Sequence, residues 1–224
     1  MFTKLWYKIQ IWFLGTSVYH FYMQKLGPIM RLTTDYARPN NSKYRQWGAL
    51  ERQGYIFLQP GDIIFTIDEK KVVAKIIGKA TKELGGVVPL FVPSHACMCV
   101  GKGRELDFEI AEMTAKGFTR STWEDVVRES TRVVIARCTN FDEKYIEEIV
   151  IPKVLSFKDK LYDEKFQMGE DTLACSEMVY FGDVEKRLQA DIRPLIGTNP
   201  YITPVGLLIA PNIKIIWDSY AEST

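Results

Sequence analysis

The chain has 224 residues, of which 46% are hydrophobic and 25% are charged, and this is the composition of an ordinary globular protein. Its formal net charge of +1 leaves no bulk electrostatic field to recruit nucleic acid, so no nucleic-acid partner is expected. The four cysteines form no CxxC pair and there are only two histidines, which argues against a metal site and indicates reduced thiols. Neither metal nor cofactor is predicted, and a cytoplasmic or membrane-surface location is expected.

Residues 1–32 are rich in aromatic side chains and predict an N-terminal helix. Its uncharged run, from Ile9 to Gln24, is shorter than the about 20 residues that a membrane-spanning helix needs. No clean cleavage site follows, which disfavours a signal peptide. Two interpretations stay open: the helix contacts a membrane surface, or it docks on the protein's own domain or on a partner protein.

Residues 33–50 are polar and rich in turn-forming residues, and they predict a linker. The expected organisation is therefore an N-terminal aromatic helix with its linker at 1–50 and a compact domain at 51–224. In that domain, the Pro60-Gly61 turn leads into a buried strand at 63–65. A helix is predicted from residue 69 to 84, since its apolar residues have helical spacing and Gly85-Gly86 follows.

A histidine begins the next predicted strand, and an acid ends the strand after it. Alternation with a period of two places His95, Cys97 and Cys99 on one face of their strand. In the following strand, the apolar face that begins at residue 106 continues to Glu112. A carboxylate on a buried face needs a partner, and His95 on the neighbouring strand can supply it. Because sequence alone does not give the strand register, Glu109 is the alternative acid.

Further along the chain, the pattern predicts two helices and two strands. Thr122, followed three residues later by an acid, predicts a capped helix start. The apolar run at 132–137 predicts a strand, and so does the one at 213–217. Residues 141–157 have helical spacing, and Pro152 is expected to kink or divide that helix.

A short polar loop leads into a helix that has Cys175 in its first turn. Asp171 or Thr172 is expected to cap this helix by accepting hydrogen bonds from free N–H groups. The positive end of the helix dipole would lower the pKa of the thiol, and the thiolate is the nucleophilic form. Most free cysteines are simply small buried side chains, so both interpretations of Cys175 are open at this point. The solvent side of the helix is assigned to Glu177, Glu185, Lys186 and Arg187.

Histidine, acid and cysteine together suit nucleophilic catalysis. The histidine takes the thiol proton and later returns it to the leaving group, while a third polar group fixes the ring. A helix start can also offer its first N–H groups to an oxyanion. Cys97 and Cys99 share the face of His95, but neither begins a helix, which argues against them as nucleophiles. A cysteine on a helix with a histidine on an adjacent sheet is papain-like, although papain-like chains usually carry the cysteine first.

Several short motifs occur in the order found in the circularly permuted NlpC-like cysteine hydrolases, the YiiX/YebB-like group related to lecithin retinol acyltransferase. The chain resembles this family over roughly residues 58–217, as spaced patches. The matching motifs are Gly61-Asp62-Ile63-Ile64-Phe65, Ser94-His95-Ala96, Ala111-Glu112 followed by Gly117-Phe118, Leu161-Tyr162-Asp163, Cys175-Ser176-Glu177, and the closing segment from Ile202-Thr203-Pro204 to Leu207-Leu208.

The resemblance implies an α+β, permuted papain-like fold, in which an antiparallel barrel-like sheet packs against the nucleophile helix, with the N-terminal helix as an addition. It also implies a Cys175, His95 and Glu112 triad that cleaves amide bonds through a thioester. Tyr162 and Ser176 are candidates for the oxyanion site or the substrate wall. For Tyr162, packing under the loop is an equally open alternative.

The main hypothesis is therefore a cysteine peptidase or amidase, with peptides of the cell wall (peptidoglycan) or lipid-linked amides as substrates. The second is a lipid acyltransferase or thioesterase, which the aromatic segment at 1–32 would suit. The third is a non-catalytic binding or structural protein that keeps the fold and docks through that segment.

Overall fold

The computed structural model describes residues 54–67, 93–103, 107–128, 130–163, 168–194 and 200–219. The predicted N-terminal helix, the linker, the domain boundary at residue 50 and the helix at 69–84 lie outside the described residues. In the part of the chain that is described, no helix has both the length and the apolar character to cross a bilayer.

The strands of the described residues follow the predicted apolar runs. The strand predictions at 63–65, 132–137 and 213–217 and the strand led by His95 are confirmed, and the strand predicted from residue 106 is described from Phe108 onward. The strands are β1 (Ile63–Ile67), β2 (His95–Lys102), β3 (Phe108–Thr114), β4 (Gly117–Thr122), β5 (Arg132–Cys138), β6 (Leu161–Tyr162), β7 (Thr172–Leu173), β8 (Ile192–Pro194), β9 (Pro200–Ile202) and β10 (Ile213–Asp218).

Six strands form one sheet in the order β10-β5-β1-β2-β3-β4, and every neighbouring pair is antiparallel. β1 is central because its apolar run can be buried on both faces, and its first four residues are all buried. Its register sets Ile64 opposite Cys97 of β2 and Ile135 of β5. The strands β6 and β7 form a parallel pair, and β8 and β9 form an antiparallel pair.

Helices occupy the connections between these strands. They are α1 (Trp123–Arg128), α2 (Glu143–Tyr145), a π-helical segment (Ile146–Val150), α3 (Ile151–Leu155), α4 (Cys175–Gly182) and α5 (Pro204–Leu208). The predicted cap of α1 is confirmed: the Asp125 N–H donates to Thr122 Oγ1 at 3.1 Å, and the Thr122 hydroxyl donates to Asp125 Oδ2 at 2.9 Å. These two bonds satisfy a free N–H group at the start of α1 and hold the Thr122 side chain in its capping position.

Pro152 divides the long predicted helix, as expected, and a π-helical segment lies at the division. The chain runs from α2 through the π-helical segment into α3, with Pro152 at the start of α3. Proline has no N–H group, so it cannot donate the usual bond to the carbonyl four residues earlier. Just before it, the Ile151 N–H donates to the Ile146 carbonyl five residues back, which is the π-helical pattern.

The sheet carries buried apolar side chains on both faces, and the alternation predicted for Cys97 and Cys99 against Ala96 and Met98 is confirmed. Cys97 and Cys99 lie in one cluster, and Ala96 and Met98 lie in the other. The first cluster includes Ile64, Cys97, Cys99, Ile110, Trp123, Ile135 and Trp217. The second includes Ile63, Phe65, Ala96, Met98, Ala111, Met113, Cys175, Met178 and Val179. Residues of α4 therefore share a core with β1, β2 and β3.

The C-terminal end of α4 is fixed by a fully buried carboxylate. Asp183 accepts a hydrogen bond from the Tyr145 hydroxyl at 2.6 Å and one from the Leu188 N–H at 2.6 Å. A buried carboxylate is stable only where such donors replace water. Asp183 therefore ties α4 to α2 and to the segment that follows α4.

We expect the substitution Gly182→Ala to destabilise the protein by about 1–3 kcal/mol, the cost typical of overpacking. A β-carbon at position 182 would lie 2.4 Å from Val154 Cγ2. Val154 is fully buried and β-branched, so its side chain has little freedom to move away. Denaturant unfolding measures the loss. Adding Val154→Ala should recover part of it, because this change removes the clashing methyl group; additive losses in the double variant would contradict the packing explanation.

Candidate active site

Cys175 lies in the first turn of α4, as predicted, and is its first residue, but the predicted cap is wrong. The N-cap residue is Ala174, whereas Thr172 belongs to β7, where it pairs with Leu161 of β6. Because the backbone at 172–173 is engaged in this strand pair, the helix cannot begin until two residues later. Asp171 and Thr172 therefore lie too far upstream to cap it.

An alanine at the N-cap has no oxygen with which to accept a hydrogen bond from the first turn. The first N–H groups of α4 are thus left without a side-chain cap from that residue. One of them, the Ser176 N–H, hydrogen-bonds the Cys175 sulfur, and so does the Ala96 N–H of β2. This end of the helix can therefore stabilise negative charge on the sulfur.

His95 and Glu112 are in direct contact. The His95 Nε2 atom lies 3.0 Å from Glu112 Oε2, and the two side chains are 25% and 14% exposed. The other carboxylate oxygen, Oε1, accepts a hydrogen bond from the Ser121 hydroxyl of β4. Since Nε2 faces Glu112, the opposite ring nitrogen, Nδ1, is the one available to the Cys175 sulfur, with which the ring also hydrogen-bonds.

Ser121 is a site residue that the sequence analysis missed. It lies opposite Ile110 in the β3–β4 register, two residue pairs from the pair of Glu112 with Thr119, and therefore on the same face of the sheet. Only the register reveals this proximity, and the sequence does not give the register. The alternative acid, Glu109, lies opposite Thr122 in that register, and its carboxylate forms an ion pair with Arg120.

The Cys175 thiol and the His95 imidazole shift each other's pKa. Burial alone would raise the pKa of Cys175, but the neighbouring His95 cation and the Ala96 and Ser176 N–H groups hold it below its ordinary value. Burial alone would lower the pKa of His95, but the Cys175 thiolate and the Glu112 carboxylate raise it to about 10. The two groups therefore favour a thiolate and an imidazolium at neutral pH.

The remaining cysteines have the opposite chemistry. Burial raises the pKa of Cys97 well above its usual range, raises that of Cys99 to about 12, and raises that of Cys138. Nearby negative charge, from Glu112 and Cys175 in the case of Cys97, acts in the same direction. These thiols stay protonated at neutral pH, which disfavours Cys97 and Cys99 as rival nucleophiles.

The two candidates for the oxyanion site or substrate wall differ in position. The Ser176 side chain is buried, and its hydroxyl donates to the Ile202 carbonyl at 2.8 Å, so what it offers the sulfur is its backbone N–H. Tyr162 is half-buried in β6, opposite Leu173 and packed against the cluster that contains Cys175. Its role in binding stays a prediction.

The prediction that Glu177 lies on the solvent side of the helix is wrong. Only 1% of its surface is exposed, and its Oε2 atom accepts a hydrogen bond from the Ala174 N–H at 2.7 Å. Residues 174–179 are all buried, so the first turn of α4 has no solvent side. Glu185 and Lys186 are exposed, as expected, but they lie beyond the end of the helix.

Comparisons with known proteins give a family and a fold. Residues 57–182, more than half of the chain, match the family described as permuted papain-like amidase enzyme, YaeF/YiiX, C92 family. The crystal structure of a protein described as metalloprotein yiiX from Escherichia coli O157:H7 aligns with a TM-score of 0.57 and 16% identity, covering 72% of this chain and 97% of that one. No curated protein matches the sequence. Within the described residues of this chain, no group of three or more His, Cys, Asp or Glu side chains is placed to hold a metal ion.

Proposed function

The chain belongs to the C92 family of permuted papain-like amidases and is a cysteine amidase, and on this premise we propose that Cys175, His95 and Glu112 are its catalytic triad. The observation that carries the proposal is the thiolate-favouring pair of Cys175 and His95 at the start of a helix, with Glu112 on the far nitrogen of the ring. Each residue has the chemical type and the neighbour that nucleophilic amide cleavage requires.

The reaction divides into two halves. In the first, the Cys175 thiolate attacks the amide carbonyl carbon, and His95 gives its proton to the leaving nitrogen as the C–N bond breaks. The product of this half is a thioester on Cys175 and a free amine. In the second half, neutral His95 takes a proton from water, the resulting hydroxide equivalent attacks the thioester, and the carboxylic acid leaves as Cys175 is regenerated.

Glu112 and Ser121 act on the ring rather than on the substrate. Glu112 accepts the Nε2–H bond, which leaves Nδ1 to exchange the proton with sulfur and substrate. The Ser121 hydroxyl, bonded to the other carboxylate oxygen, fixes the carboxylate plane. The backbone N–H groups in the first turn of α4 are the candidates for stabilising the oxyanion, with Tyr162 as a candidate second donor.

We also propose a specific fold type and a substrate class. The sheet is proposed to be the barrel-like sheet of a permuted papain-like fold, with α4 as its nucleophile helix; the shared core of α4 with β1, β2 and β3 supports this. The substrates proposed are amide bonds in peptides, such as cell-wall stem peptides, or in lipid-linked amides. The family's description as amidases supports the bond type.

Thiol labelling tests the proposal without knowledge of the substrate. At pH 6, iodoacetamide should alkylate Cys175 at least about tenfold faster than Cys138, because the thiolate is the reactive form and the pKa is lowered only at Cys175. Peptide mass spectrometry after timed quenching gives the rate at each cysteine.

The variant His95→Ala serves as the control for this experiment. Without the imidazolium, the Cys175 pKa should rise and its labelling at pH 6 should slow toward the rate of Cys138. Equal slow labelling of both cysteines in the unmodified protein would contradict an activated thiol. Fast labelling that persists in His95→Ala would contradict the role of His95.

A further inference from the structure

Glu177 is a buried acid, two residues after the nucleophile, that the proposed reaction does not use. Its side chain is 1% exposed, and its buried Oε1 atom has no hydrogen-bond partner among the residues that the structure describes. Burying a carboxyl oxygen without a hydrogen bond costs free energy. The position of Glu177 therefore calls for a structural or chemical explanation.

The contact that Glu177 makes is at the junction just before Cys175. Its Oε2 atom accepts the Ala174 N–H at 2.7 Å, and Ala174 is the N-cap of α4. In the usual capping box, a serine or threonine at the N-cap would fix the turn from its other side. Alanine cannot do so. The turn that carries Cys175 therefore depends on the hydrogen bond from the Ala174 N–H to the Glu177 carboxyl group.

The charged group that faces Glu177, among the described residues, is another buried acid. Asp163, which follows β6, is 3% exposed, and its backbone N–H donates to the Leu173 carbonyl beside Ala174. Burial, together with the charge of Asp163, raises the pKa of Glu177 to about 7, although the Ala174 N–H acts in the opposite direction. The Cys175 and His95 pair lies at the same end of the helix, and its opposite charges balance each other.

We infer that Glu177 is a positioning residue for Cys175, and that it acts in its neutral form through the Ala174 N–H at the start of α4. This inference rests on the proposed function of Cys175. The neutral carboxyl keeps one oxygen on Ala174 and carries its proton on Oε1, without adding a second charge beside Asp163. Ionisation adds that charge in a buried site, which strains the turn and moves the sulfur relative to His95.

Two substitutions distinguish the effect of removing the charge of Glu177 from the effect of removing its hydrogen-bond acceptor. Glu177→Gln keeps an oxygen for the Ala174 N–H and is permanently uncharged, whereas Glu177→Met fills a similar volume and offers no such acceptor. Glu185→Gln is the matched control, since Glu185 is exposed and lies beyond α4. Folding of each variant is checked by circular dichroism and thermal unfolding.

The readouts are the rate of Cys175 alkylation by iodoacetamide from pH 5 to 9, and kcat and KM for amide hydrolysis. For Glu177→Met, we expect alkylation at pH 6 to slow about tenfold, its pH profile to shift upward, and kcat to fall with KM nearly constant, because a small displacement of the nucleophile is costly. For Glu177→Gln, we expect rates within about threefold of the unmodified protein at pH 6, and loss of the inflection near pH 7.

A Glu177→Met protein with reduced stability but an unshifted alkylation profile would overturn the inference, since a merely structural role predicts that result. If Glu177→Met does not fold, the comparison of Glu177→Gln with the unmodified protein tests the inference. Identical pH profiles of Cys175 alkylation across pH 7 would then overturn it. The proposed function fails separately, by slow alkylation of Cys175 in the unmodified protein or by the absence of amide hydrolysis. In the latter case, the alkylation profiles alone still decide the role of Glu177.

Discussion

Substitution of Cys175 by alanine is expected to lower kcat/KM for amide hydrolysis by on the order of 10⁴-fold or more, because it removes the sulfur that forms the covalent intermediate. The remaining cysteines cannot substitute for it, since the pKa of each is raised and the thiols stay protonated. Hydrolysis of a panel of peptide amides and N-acyl amides, followed by release of the amine, measures the loss.

Cys138→Ala is the matched control, because Cys138 is also a buried, free cysteine. It should retain activity within about threefold, as expected for a substitution that contacts no reacting atom. Rapid acid quenching of the unmodified enzyme with its substrate should also reveal the mass of an acyl group on Cys175. Retained hydrolysis in Cys175→Ala, or an acyl group on another cysteine, would contradict the assignment of the nucleophile.

The contact between His95 and Glu112 could be predicted in part, because local patterns favour Glu112 while the unknown strand register left Glu109 as the alternative acid. Alternation along β2 and β3 assigns the two side chains to faces, and a carboxylate on a buried face requires a partner. The place of Cys175 in the first turn of a helix could likewise be predicted from a polar loop followed by apolar residues. In each case, the part that could be predicted rests on residues within a few positions of the one concerned.

The errors arise where the deciding contact is distant in sequence. The cap of α4 is wrong because the pairing of Thr172 with Leu161 delays the start of the helix. Ser121 was missed because its approach to Glu112 depends on the β3–β4 register. The prediction that Glu177 faces solvent is wrong because helical periodicity assumes one solvent-exposed face, whereas residues 174–179 are all buried.

These errors concern the same few ångströms around the nucleophile. A short strand pair, an alanine at the N-cap and a buried acid replace the exposed, side-chain-capped helix start that the pattern favoured. The outcome is a helix end whose N–H groups are left for sulfur and substrate, at the expense of local stability. Active sites are where such departures from local preference are expected.

Replacing His95 by alanine should lower kcat/KM for amide hydrolysis by about 10²–10⁴-fold, the usual contribution of a general acid and base. In the unmodified enzyme, activity should fall on the alkaline side as His95 loses its proton, since the neutral ring cannot protonate the leaving nitrogen. The pKa of His95 is about 10, so this alkaline limb should lie near pH 10 and should be absent in His95→Ala.

Glu112→Gln provides a graded form of the same test. The substitution keeps the side-chain shape but removes the negative charge that helps to raise the His95 pKa, so the alkaline limb should move to lower pH by about one unit. Glu109→Gln is the control, because it removes the same charge from β3 at a carboxylate that forms an ion pair with Arg120. A pH profile of kcat/KM that responds equally to both substitutions would attribute the shift to net charge and would contradict a specific role for Glu112.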